Sequence, residues 1–153
     1  MLPSTSTRVA EHTSDHINQQ IRELTVQNVR ECAARGSIAI NKRLVELDDE
    51  WDIERTLEAN AATFALLGLG LGTLVNKKWY ILPAVVAGFL LQHALQGWCP
   101  PVPVFRRLGI RTAEEIHQEK YALKALRGDF GPVYEKAPHQ KADYEKAITA
   151  AMA

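Results

Sequence analysis

Cysteine is nearly absent from this chain. Cys32 and Cys99 are the only two among 153 residues. They lie far apart, which excludes a disulfide framework, and neither belongs to a CxxC pair of the kind that binds zinc. An excess of one charge is also missing. The 18 basic and 18 acidic residues cancel, so overall charge gives no reason to expect a nucleic-acid partner. His12, His16, His117 and His139 have no partner at a metal-ligand spacing, and they read as surface residues; no metal and no cofactor is expected. The opening MLPSTSTRVAEH has no basic cluster followed by an apolar region, so no signal peptide is expected. No spacing of nucleophile, base and acid stands out, and the chain does not read as an enzyme. The most telling absence is local. Between Ala59 and Trp98 there is no Asp, Glu or Arg, and the only lysines are the adjacent Lys77 and Lys78.

What fills that stretch is two apolar runs around the tetrad Asn76-Lys77-Lys78-Trp79. The mean hydropathy of −0.17 averages this hydrocarbon middle with charged flanks. The reading is an all-α protein built on a transmembrane helical hairpin, residues 59–98, with amphipathic cytoplasmic helices before and after it. The first span, Ala59–Val75, rises about 25 Å, near the lower limit for a bilayer, and helical residues upstream can extend it. The second has about 20 residues, enough to cross, with Pro83 in its first turn, where a missing N–H costs little. Trp79 and Tyr80 at one end and Trp98 at the other fit interfacial belts. Gly68 and Gly72 form a small-xxx-small pair suited to close helix packing. Lys42, Arg43 and Arg55 precede the spans and Arg106, Arg107 and Arg111 follow them, against two lysines in the turn. That asymmetry places both termini in the cytoplasm. Within the spans the strongly polar residues are Asn60, Gln92, His93 and Gln96. In a hairpin turning near residue 77, Asn60 lies level with about residue 94, so a hydrogen bond from Asn60 to His93 or Gln96 is expected. Polar groups at such depth are costly unless paired.

The flanks read more faintly. Residues 1–13 show no periodicity and are expected to be disordered; residues 14–58 form cytoplasmic amphipathic helices. The first carries a thin stripe of Ile17, Ile21, Leu24, Val29 and Cys32 and stops at Gly36. Ser37 is the natural cap of the next. That helix presents Ile40, Leu44, Leu47 and Trp51 as a narrow seam for a partner helix, for the membrane surface or for this chain's own first or last helix. The acidic group from Asp48 to Glu58 is a solvated face. Residues 99–131 comprise a proline turn, expected to break the helix across Pro100, Pro101 and Pro103, then an amphipathic helix. Thr112 and Glu115 open that helix as a capping box. Residues 132–153 form a polar tail with a weak helix from about Lys141.

A glycine, an aromatic residue and Cys-Pro at the exit of a second membrane helix, then Leu108-Gly109-Ile110-Arg111-Thr112, resemble the YgaP-like transmembrane family. These are small bacterial two-helix inner-membrane proteins of unknown function, and the best-known member carries a rhodanese sulfurtransferase domain as well. The likeness covers about Glu54 to Thr112, resting on Glu54-Arg55, Gly97-Trp98-Cys99-Pro100 and the Leu-Gly-Ile-Arg-Thr element. It implies an inner-membrane hairpin, a homodimer or higher oligomer. It does not imply sulfurtransfer, because a rhodanese domain needs longer flanks and a Cys-centred, arginine-rich loop. Cys99 remains the one candidate thiol site, since Arg106 and Arg107 seven and eight residues on would lower its pKa.

Four roles follow. The leading one is a non-enzymatic membrane anchor or oligomeric module presenting cytoplasmic helices. The second is a sulfur or redox relay through Cys99 serving a separate enzyme. A third is a soluble helical protein with the hairpin in its core, against which stand flanking helices too thinly apolar to cover it. The fourth is an oligomeric small-anion transporter lined by Asn60, Gln92 and His93.

Overall fold

The computed structural model describes residue 4 and residues 6–130. The expected polar tail, 132–153, and His139 lie outside the described residues. Those described are helical, with no strand among them: α1 (Arg8–Glu11), α2 (Asp15–Arg35), α3 (Ser37–Asp49), α4 (Ile53–Leu74), a 3-10 turn (Lys77–Tyr80), α5 (Ile81–Gln96), α6 (Val102–Arg107) and α7 (Ala113–Arg127). Among the described residues two compact units result, one from residues 6–23 and 51–116, the other from 24–50 and 117–130.

The first unit is built on α4 and α5. Asp52 starts α4 by accepting the Arg55 N–H at 2.7 Å, which satisfies one orphan donor of the first turn. This gives a specific task to a residue assigned above to a solvated acidic face. The two helices pack closely where the first lacks side chains. A Cβ on Gly68 would sit 2.5 Å from Pro83 Cδ, and one on Gly72 would sit 2.7 Å from the Tyr80 ring. α5 ends at Gly97, whose left-handed φ of 75° lets its N–H return to the His93 carbonyl. The proline stretch that follows breaks the helix as expected, but it also opens a further one. Pro101 caps α6 and Pro103 lies in its first turn, where the missing N–H would have no partner anyway. Pro100 and Pro101 therefore end one helix and lead directly into another.

Part of the segment expected to be disordered is ordered. Residues 8–11 form a helical turn, and Val9 is buried with Ile53, Leu57, Cys99 and Val102 in the unit's core. Periodicity could not reveal one turn held by a single apolar side chain. On the other side Arg106 is buried and fully engaged. It donates to Glu115 through both terminal nitrogens (2.6 and 2.7 Å), to Asn18 Oδ1, to Thr13 Oγ1 and to the Ile110 carbonyl. The capping box is present: the Thr112 N–H donates to Glu115 at 2.8 Å, and the Glu115 N–H to Thr112 Oγ1 at 3.2 Å.

In the second unit α3 buries Ile40, Leu44 and Leu47. Trp51 does not extend that seam. The helix ends at Asp49, Glu50 is extended, and Trp51 is exposed with the Arg55 guanidinium 4.3 Å over its ring. Gly36, at φ 84°, takes the capping position assigned to Ser37, which is the first residue of α3. Arg43 reaches the fully buried Glu119 of α7 at 2.7 Å, and Lys120 pairs with Asp48.

Candidate functional site

At the base of α4 and α5 three ionisable side chains meet. Arg8 Nη2 donates to Glu54 Oε1 at 2.9 Å, and His93 Nε2 donates to Glu54 Oε2 at 2.8 Å. Arg8 also reaches the Ala94 carbonyl at 3.3 Å, one of the acceptors left open at the end of α5. His93 is 2% exposed, and its Nδ1 and the Arg8 Nε are both buried without a hydrogen-bond partner. Burial works to raise the Glu54 carboxyl, but hydrogen bonds from Arg8 and His93 outweigh it and hold it below the usual range. Gly97 is what lets Arg8 in: a Cβ there would lie 2.6 Å from Arg8 Cβ and Cγ.

The expected polar cluster is therefore rearranged. Asn60 does not reach His93 or Gln96; its amide donates to the Thr56 carbonyl one turn below. With Gly72 on Tyr80 and Gly68 on Leu82 and Pro83, His93 lies level with about residue 57 rather than 61. The partner one turn further down is Glu54. Gln96 is exposed and Gln92 half-buried, so the four polar residues do not converge on one path. Gly68 and Gly72 do pack helix on helix, within this chain. Arg8 was missed altogether. Its signal was faint: one arginine beside one valine in a polar segment.

Cys99 is 3% exposed in the apolar core. Burial pushes its thiol up; the Val102 N–H offsets part of this, and the nearby Glu54 charge adds to it. The cations expected to lower it act elsewhere, Arg106 being spent on Glu115. The direction is thus opposite to that inferred from spacing, and a buried thiol of raised pKa is a poor nucleophile.

Beside this core is an open apolar groove of about 140 Å³, walled by α4, α5 and α6 and lined by Ala61, Phe64, Val86, Phe89, Pro101 and Phe105 among others. Above it the outward surface is hydrocarbon. Leu66, Leu67, Leu69, Leu74, Ile81, Val85, Leu91 and Leu95 are all 45% or more exposed. By length and composition two helical stretches suffice to cross a membrane, Ser37–Leu74, which includes α4, and Lys77–Gln96, the turn with α5. No family model, curated protein sequence or solved structure matches the chain.

Proposed function

We propose that the chain is a small integral membrane protein of the YgaP-like kind, a non-enzymatic anchor or oligomeric module. Its α4–α5 hairpin crosses the bacterial inner membrane and holds helical arms in the cytoplasm. The observation that carries this reading is the apolar side chains exposed around α4 and α5. A soluble protein would cover them, since monomers rarely expose apolar patches beyond a few hundred Å²; lipid covers them here. Trp79 and Tyr80 at one end and Trp51 and Trp98 at the other fit the two interfaces, and the orientation is supported by Lys42, Arg43, Arg55, Arg106, Arg107 and Arg111 outnumbering Lys77 and Lys78. A charged network at the base sits where water relieves its cost. Outward-facing Ile38 and Val45 on α3 are what the arm offers a protein partner.

The relay and transport readings lose their footing in the same geometry: Cys99 is buried, and His93 is committed to Glu54. Trypsin on sealed vesicles tests the topology. In inside-out vesicles the flanks are cleaved and a fragment spanning 59–98 is protected; in right-side-out vesicles only Lys77–Lys78 is open. Cleavage at Lys77–Lys78 in inside-out vesicles would overturn the orientation.

A further inference from the structure

We propose that α1 is an acid-released strap: a proton taken up by His93 frees it from the base of α4 and α5. Its hold is slight. The helix is a single turn, and Val9 is its only buried side chain. The rest of the hold is Arg8, which donates to Glu54 and to the Ala94 carbonyl and lays its stem against Gly97. One carboxylate thus serves two donors. Because Glu54 is ionised near neutrality, His93 Nε2 is the nitrogen that donates, and Nδ1 keeps a bare lone pair. With His93 neutral, the charges of Arg8 and Glu54 cancel. Release bares Glu54 and opens the core around Val9 and Cys99, so the base of the hairpin responds to pH.

A proton enters the ring at Nδ1, and there it creates an N–H that has no acceptor among the described residues, in a side chain 2% exposed. It also places a second cation on a carboxylate that Arg8 already neutralises. Attraction of the charged ring to Glu54 does not set the direction, because that pair is present with the strap on or off. Arg8 and the cover of α1 are what differ, and both disfavour the charged ring. The released form therefore binds the extra proton more readily, and by linkage acid favours release. Other titratable groups near the cluster do not reverse this. Cys99 is a neutral thiol. On α4, Glu58 is exposed and Arg55 lies over Trp51. On α6, Arg106 is held by Glu115. On α1 itself, Glu11 accepts from Thr7, and His12 Nδ1 donates to the Arg8 carbonyl at 2.8 Å, a bond that protonation leaves in place.

Hydrogen exchange of the full chain in detergent tests the strap, read by mass spectrometry across pH and corrected for the intrinsic exchange rate. The peptide carrying the Glu11, His12 and Thr13 amides, which donate to the Thr7, Val9 and Ala10 carbonyls, should lose protection below about pH 6.5. The loss should reach up to about tenfold per pH unit, the ceiling for uptake of one proton. Peptides of α4 and α5 should keep theirs. His93→Gln retains a donor for Glu54 but takes no proton, and should postpone the loss to about pH 4, where carboxylates protonate. Arg8→Gln should leave α1 unprotected at every pH, with no step. His12→Gln should keep the wild-type step. A wild-type profile flat down to about pH 5 overturns the strap, as does an unshifted step in His93→Gln or a step that disappears in His12→Gln. A second reading needs no variant. Reaction of Cys99 with dithiodipyridine, relative to Cys32, should rise over the same pH interval, and a constant ratio contradicts release.

Discussion

Replacing Arg106 with Ala should cost about 3–5 kcal/mol, because it strands the Glu115 carboxylate in a half-buried site, while Arg107→Ala should change stability by less than about 0.5 kcal/mol. Thermal melting in detergent reads both. Sequence spacing treats these two arginines as equals; only the fold sends one inward to Thr13, Asn18 and Glu115. Acid should expose the same dependence. Burial tends to raise Glu115, but hydrogen bonds from Arg106 and Thr112 prevail and hold its pKa down. A depressed folded-state pKa contributes stability above the unfolded value and loses it as pH falls through the folded one. Stability should therefore be level near neutrality and fall below about pH 4, with a shallower fall in Glu115→Gln. Maleimide should label Cys32 well before Cys99, since Cys32 is half-exposed and Cys99 is buried with a raised pKa. Equal rates would reopen the relay.

At the scale of elements the glycines divide sharply. Ala at Gly68 or Gly72 meets Pro83 or Tyr80 and should destabilise by about 1–3 kcal/mol, as overpacking does. Ala at Gly70 or Gly88 meets nothing within 4 Å and should be neutral or slightly stabilising, as expected of a better helix former. Melting of the four variants checks this; a loss at Gly70 would point to a second copy packed there. The alternation of charged flank and uncharged run made α4 and α5 legible in the sequence, glycine's left-handed freedom did so for the stop at Gly36, and the Thr-x-x-Glu spacing for the capping box at Thr112. Three things were not. Helix α1 is one turn stabilised by tertiary contacts. Helix α6 begins on prolines that read as breakers but serve as starters. The pairing of His93 depended on register, and a 3-10 turn at Lys77–Tyr80 shifts it by about one helical turn.

At the scale of the molecule, the chemistry-bearing residues gather at the base of the helix pair, and the outward face is hydrocarbon. Arg8, Glu54 and His93 join a segment near the start of the chain to both long helices, and Gly97 provides the room. This explains why the apolar helices were legible in the sequence and the base cluster was not: the helices are written in composition, while the cluster is assembled from residues 39 and 46 positions apart. The central claim is that lipid covers α4 and α5, and alkaline carbonate extraction of membranes carrying the full chain tests it most directly. The chain should remain in the pellet with integral proteins; its release into the supernatant would contradict the account.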